Sequence, residues 1–165
     1  MRKIGLLMVV IVLLSGCGVK NYEIRNATCD AEYPPVAGII SINATDDMIA
    51  PVISTQEGDM FYMADGYEVT LQTLQGGDVN ATFRSCTGFD SSRLTVVETQ
   101  QDGLKRYDCA WSSTGEGIQT VSRMTILDDG SYHYVLTVMA QGDWDEEVSA
   151  AWQQLSDSFR VNIVQ

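Results

Sequence analysis

Few side chains in this sequence are equipped for covalent or acid–base chemistry. There are four cysteines, Cys17, Cys29, Cys86 and Cys109, and one histidine, His133. A thiolate is a nucleophile and a soft metal ligand, but a zinc site needs Cys and His clustered at short spacing. No Cys-x-x-Cys occurs, so no metal is expected. His133 is the one candidate histidine base. It follows Asp128 and Asp129 across a turn, and no serine stands in a Gly-x-Ser-x-Gly elbow. A lone histidine on a strand reads as structural. The acids Asp143, Asp145, Glu146 and Glu147 lack the ligand spacing of a calcium loop and suit the first turn of a helix, whose dipole favours negative charge. Carboxylate pairs for glycoside hydrolysis are uninformative among 22 acids. Tyr132, Tyr134 and Trp111 could line a ligand groove, but their alternating spacing reads as core.

One thiol has a context of its own. Arg2 and Lys3 precede the apolar run Ile4 to Leu14, broken only by Gly5, and then come Ser15, Gly16 and Cys17. The run is too short to cross a bilayer core as helix, which takes roughly 20 residues, and has the dimensions of a signal-peptide core. Leu14, Ser15, Gly16 and Cys17 resemble the lipobox of bacterial lipoproteins. That resemblance implies a diacylglyceryl group on the Cys17 sulfur and cleavage before it. Two or three acyl chains anchor stably where one is marginal. Gly18 stands where an inner-membrane retention signal would carry aspartate. The implied location is extracytoplasmic, on the cell membrane of a Gram-positive cell or the outer membrane of a Gram-negative one.

The composition fits that placement. Of 165 residues, 22 are acidic and 10 basic, a formal charge of −12, with 45% hydrophobic residues and 3 prolines. This is globular composition. The acid excess excludes a nucleic-acid binder, which needs a basic face, and a polybasic membrane patch. Cleavage before Cys17 leaves 149 residues and a formal charge of −14, since Arg2 and Lys3 are lost and no acid is. The expected organisation is a signal peptide over 1–16, a lipidated tether over 17–21 and one domain over 22–165. Outside the cytoplasm disulfides are permitted. Three remaining cysteines allow one bridge. Cys86–Cys109 is the preferred pair, and three reduced, mostly buried thiols are the alternative. The sequons at Asn26, Asn43 and Asn80 read as polar strand-end or turn residues.

The elements that must position these groups are clearest in the C-terminal half. Strands are expected over Arg93 to Gln100, Leu104 to Ser112, Ile118 to Leu127 and Ser131 to Ala140, with turns at Asp102-Gly103 and Asp128-Asp129-Gly130. Tyr107, Cys109 and Trp111 alternate on one face, Arg106 and Asp108 on the other. The last strand is apolar on both faces and so central. Asp143 reads as the N-cap of an amphipathic helix carrying Trp144, Val148, Ala151, Trp152, Leu155 and Phe159, with Glu146 completing a capping box. Earlier, Tyr22 to Thr28, Val36 to Ala44, Phe61 to Met63 and Tyr67 to Leu74 read as strands. Met48 to Ser54 is ambiguous, Ser85 to Gly88 reads as a turn, and a second helix has no clear place.

From Leu94 to Val161 the order resembles the PsbP-like fold, which includes DcrB-like and related small bacterial lipoproteins. The matching stretches are Ser131 to Met139, the helix from Trp144, and Asp157-Ser158-Phe159-Arg160-Val161. The family's helix between early strands is not evident in the N-terminal half. The resemblance implies an α/β/α sandwich, α+β in class, whose mostly antiparallel twisted sheet carries a C-terminal amphipathic helix. It implies a non-enzymatic role and transfers no functional residue. The expected function is a membrane-anchored lipoprotein presenting a non-catalytic interaction domain to an envelope partner, with no cofactor beyond the lipid on Cys17. A carrier or sensor of a small apolar ligand is the alternative, and a hydrolase a distant third.

Overall fold

The computed structural model describes residues 36–49, 51, 53–54, 59–115 and 117–163, all within the unit Pro35–Gln165. The lipobox, Cys29, Asn26 and the strand expected at Tyr22 to Thr28 lie outside the described residues.

The strands are β1 (Ile39–Ser41), β2 (Ile53–Ser54), β3 (Met60–Met63), β4 (Tyr67–Gln75), β5 (Thr95–Gln101), β6 (Leu104–Gly115), β7 (Ile118–Asp128), β8 (Tyr132–Gln141) and β9 (Arg160–Asn162). Helix α1 spans Val79–Thr87 and helix α2 spans Glu146–Ser158. Seven strands form one antiparallel sheet in the order β2-β3-β4-β8-β7-β6-β5, and β1 pairs with β9 as a separate antiparallel ribbon. The mixed α/β class with a mostly antiparallel sheet and a C-terminal helix is as expected. Among the described residues no helix is long and apolar enough to cross a membrane.

Turn chemistry sets the register of the long hairpins. Asp102 and Gly103, both at positive φ, join β5 to β6, the two-residue connection that matches strand twist. Between β7 and β8, the Asp128 carboxylate accepts from Gly130 N–H at 2.7 Å, and Asp129 accepts from Ser131 and Tyr132 N–H at 2.8 and 2.6 Å. Short side chains that hydrogen-bond the backbone two residues on hold such turns closed. The resulting register places Leu127 opposite Tyr134 and Ile126 opposite Val135. Period-two alternation then sends the two sets to opposite faces.

Each face has its own apolar cluster. On one, Val69, Leu71, Leu127, Tyr134, Leu136 and Val138 pack against Val148, Ala151, Leu155 and Phe159 from the region of α2. On the other, Tyr107, Cys109, Met124, Ile126 and Val135 pack beneath Phe83 of α1. Helices therefore flank the sheet on both faces, as the central position of β8 requires. Full burial of a side chain such as Leu155 or Phe159 stabilises by about 1.5–3 kcal/mol.

Several expectations need correction. The N-cap of α2 is Asp145, whose carboxylate accepts from Val148 N–H at 2.8 Å, not Asp143. Gly142 at φ 91° ends β8, and Trp144 lies before the helix rather than in it, edge-on to Trp152 at 6.4 Å. Residues Ser85 to Thr87 are the last turn of α1, not a loop. Asn80 is likewise in the first turn of α1, where both its N–H and its side-chain amide donate to the Asp78 cap. Capping by Asp78 and a left-handed Gly88, whose N–H returns to Arg84 O at 2.9 Å, closes this short helix at both ends. The strand expected from Val36 to Ala44 shrinks to β1. Gly38, just before it, leaves little room for a side chain, since a Cβ would stand 2.5 Å from Val161 Cγ1 and 3.1 Å from Asn162 O.

Candidate functional site

The two cysteines singled out by sequence meet at one place. Cys86, on α1, packs against the cluster that contains Cys109 of β6, and both are free thiols. Burial, reinforced by Asp59, pushes the Cys86 thiol up to about 11. Burial, with Asp108 and Cys86 adding to it, pushes Cys109 up to about 12. Both are therefore protonated at neutral pH, the opposite of what a nucleophile or metal ligand requires. Among the described residues no three His, Cys, Asp or Glu side chains converge as a metal site would demand.

His133 is fully buried on β8, beneath α1. Its Nδ1 lies 2.7 Å from Thr82 Oγ1, and its Nε2 lies 3.7 Å from Asp128 Oδ1 with no hydrogen-bond partner. In the tautomer with hydrogen on Nε2, Nδ1 accepts a hydrogen bond from the Thr82 hydroxyl and the ring N–H faces Asp128; in the other tautomer Nδ1 donates to that hydroxyl. A hydroxyl, an imidazole and a carboxylate thus stand in a row. Thr82 and His133 are both buried, however, and none of the open troughs described below is lined by any of the three. A nucleophile needs a cleft in which substrate can reach it. The row fixes α1 to β8, as the structural reading of His133 expects. Its partner Thr82 was not foreseen, because the helix carrying it was not.

The opposite face holds a polar network that alternation alone did not reveal. Arg106 Nε and Nη2 donate to the Asp108 carboxylate at 2.7 and 2.8 Å, and Nη2 donates to Ser156 Oγ at 2.7 Å. Arg106 Nη1 donates to Gln101 Oε1, and Thr125 Oγ1 donates to Asp108 at 2.6 Å. This bidentate pair ties β5, β6 and β7 to the end of α2.

Neither helix covers its whole face, and open troughs remain beside each; one on the α1 side, of about 400 Å³, is lined by Val79, Phe83, Val96, Glu98 and Tyr107. On the α2 side a trough of about 510 Å³ runs between Trp152 and the edge strand β5, with Val97, Ala110 and Arg123 in its wall. The Arg123 guanidinium sits 4.8 Å over the Trp144 ring, a cation–π contact. On the α1 side a trough of about 290 Å³ lies beyond Cys86, over the far ends of β4, β6, β7 and β8. Thr70, Gln72, Trp111, Ser122, Thr137 and Met139 line it. Trp111, read as core, is partly buried at the rim of that cluster. Tyr134 is core as expected, accepting from Gly38 N–H and donating to Asp129 Oδ2, both at 2.7 Å.

No family model and no curated protein matches the sequence. Solved structures do. A crystal structure from Bacteroides thetaiotaomicron matches with TM-score 0.50 at 9% identity, over 74% of this chain and 45% of its own. This chain therefore spans less than half the length of that protein, and the likeness is one of fold. LpqN of Mycobacterium tuberculosis, involved in cell envelope biogenesis, gives 0.47 at 13% identity, over 80% of this chain and 87% of its own. The PsbP protein of Synechocystis gives 0.49 at 10%, over 82% and 98%. Scores of that size carry no weight for role.

Proposed function

We propose that this chain is a bacterial lipoprotein, held by acyl chains on Cys17, that presents a non-catalytic binding domain of PsbP-like architecture on the extracytoplasmic face. The observation that carries the binding role is the half-coverage of both sheet faces. Open troughs on both faces present aromatic and polar side chains to solvent, whereas Thr82 and His133 of the acid–imidazole–hydroxyl row are buried beneath α1. A carrier of a small apolar ligand would enclose its cargo, and the troughs are open. The lipobox supports the anchor, and the fall in charge to −14 on processing supports a domain that stands off an anionic surface rather than lying on it.

Two measurements test the reading. Cys17→Ala should abolish acyl labelling and move the protein out of the membrane fraction; unchanged fractionation and labelling overturn the anchor. Affinity capture of the lipidated protein from its own envelope should return a partner that is lost when the troughs are altered. Cys86 and Cys109 are free thiols in the structure, and an oxidising compartment would permit the preferred bridge between them. Intact mass before and after reduction reads that bridge directly.

A further inference from the structure

The large sheet ends differently at its two edges. At one edge, β2 is two residues long. At the other, β5 runs for seven residues and pairs on one side only, with β6. That pairing proceeds residue for residue from Thr95 opposite Ala110 to Gln101 opposite Leu104, with no bulge. Shortness, bulges, proline and charge, lysine above all, are the usual means of blunting an edge. Of these β5 has only the charge of Glu98. Alternate residues of an antiparallel edge strand turn N–H and C=O away from the paired neighbour. Among the described residues no strand takes up that outer row.

A trough adjoins β5 on each of its faces. Val96 and Glu98 line the α1-side trough of about 400 Å³ together with Phe83 and Tyr107. Thr95 and Val97 line the α2-side trough of about 510 Å³ together with Ala110 and Trp152. Val97 is 53% exposed. Charge distinguishes the two. Glu98 is the one charged residue lining the first, is exposed, and enters none of the salt bridges among the described residues. Lys105 shares that face farther along, opposite Gln100, and Arg93 is stacked on Phe89. In the second trough Arg106 and Asp108 hold each other and Arg123 lies over Trp144, so the part nearest β5 is Thr95, Val97 and Ala110.

These features specify an occupant. A row of backbone donors and acceptors at strand spacing is matched by another strand, and an added strand sends successive side chains to opposite faces. One extended peptide therefore reaches both troughs, whereas a compact ligand reaches one. A residue paired with Glu98 is favoured as lysine or arginine, and its neighbour, paired with Val97, as an apolar side chain. A chain with 22 acids and 10 bases attracts a basic segment and repels a second copy of itself. We propose that β5 docks an extended segment of a partner protein in which basic and apolar residues alternate, added to the sheet as a further strand. The assignment rests on the binding-domain reading above and gives that domain its partner class.

The test uses the full-chain protein in detergent micelles and a capped decapeptide of alternating lysine and valine. Three control decapeptides accompany it: the same residues in two blocks, alternating glutamate and valine, and the lysine–valine peptide N-methylated throughout. The alternating peptide should bind with Kd below about 1 mM in calorimetric titration, and each control at least about tenfold more weakly. Amide hydrogen exchange should slow within Thr95–Gln101 when it binds. Glu98→Gln should weaken binding about threefold to fivefold. Glu98→Lys should reverse the preference toward the glutamate peptide, and Thr70→Val, in the trough beyond Cys86, should change nothing. Equal binding by the block or N-methylated peptide overturns strand addition, as does protection that leaves β5 untouched. Unchanged preference in Glu98→Lys overturns the basic partner. Sedimentation without peptide should show a monomer; a dimer with protected β5 amides makes a second copy the occupant and overturns the proposal. No binding of the alternating peptide at about 5 mM, with envelope capture still returning a partner, overturns the docking strand and leaves the binding domain standing. Failure of both overturns both.

Discussion

The two faces of the sheet share their strands but are built to different ends. Under α2, twelve buried residues form one cluster, and a helix of 13 residues closes over it with the Arg106 network at its end. Under α1, six buried residues form the cluster, the helix has nine residues, and the polar groups include two thiols and a histidine with one unpartnered nitrogen. Stability scales with apolar area removed from water. The α2 face therefore carries most of the folding free energy, and the α1 face has room for polar side chains that packing does not need. The largest test of that asymmetry is a pair of truncations. Phe159→Ala should cost about 3–5 kcal/mol, and Phe83→Ala should fall at the low end of the same range, because α1 can settle onto its smaller cluster. Denaturant unfolding of both variants measures this. A Phe83 cost equal to or above that of Phe159 breaks the comparison. The double variant should be additive within about 0.5 kcal/mol, since the sheet separates the sites.

A second test concerns Tyr134, which links the α2 face to the N-terminal segment and to the β7–β8 turn through two hydrogen bonds of 2.7 Å. Tyr134→Phe leaves Gly38 N–H and the Asp129 carboxylate without that partner and should cost about 1–3 kcal/mol. The pH dependence has a definite sign. Burial first, then Asp129 and Tyr132, push the Tyr134 hydroxyl up to about 12, outweighing the opposing bond from Gly38. A group whose pKa is raised on folding stabilises fully below its unfolded value and ceases to as pH rises through the folded one. Wild-type stability should therefore decline between pH 10 and about 12 more steeply than that of Tyr134→Phe. Parallel profiles would remove Tyr134 from the account.

The same asymmetry explains what the sequence made legible. Strands β6 to β8 and the apolar stripe of α2 are long and strongly periodic, so their faces were readable: Tyr134 and Leu136 on one side, His133 and Val135 on the other. Helix α1 is nine residues containing Val79, Asn80, Thr82 and Thr87, types that favour strand or turn over helix. Only its ends, Asp78 and Gly88, announce it, and tertiary packing of Phe83 does the rest. Missing α1 hid the partner of His133, the setting of Cys86 and the walls of the α1-side troughs. The strand residues of the trough beyond Cys86, Thr70, Ser122 and Thr137, were unreadable as a group because a hydroxyl on a strand has no spacing signature. They become a group only through the pairing of four strands. The Asp145 cap was missed by two residues because two aspartates in that stretch, Asp143 and Asp145, are each capable of capping.

On the α1 face a smaller effect is expected at Thr82. Thr82→Val preserves shape but leaves His133 Nδ1 without its 2.7 Å partner, so both ring nitrogens lack a protein hydrogen bond. The cost should be about 1–2 kcal/mol. A variant of unchanged stability would mean that the imidazole is satisfied some other way.

The smallest effect lies at the end of the α2 face, where Asp47 holds the loop after β1 against β4. Its carboxylate accepts from Tyr67 Oη at 3.0 Å and from Asp65 N–H at 3.3 Å, and Tyr67 Oη lies 2.6 Å from Thr45 Oγ1. Burial works to raise the Asp47 pKa, but hydrogen bonds from Thr45, its own backbone, Tyr67 and Asp65 together outweigh it and hold the carboxyl below its ordinary value of 3.8. A carboxyl lowered on folding contributes stability above its unfolded pKa and loses it as pH falls through the folded one. Asp47→Asn should therefore be slightly less stable than wild type near neutrality, and the gap should close as pH is lowered through the acid range. The group is exposed, so solvent screens its interactions and the gap should be small beside that of Tyr134→Phe. Thermal midpoints of the two proteins from about pH 6 down to about pH 2 decide it. A gap that persists at the acid end would show that the asparagine acts through shape rather than charge. The loop would then be held by packing alone.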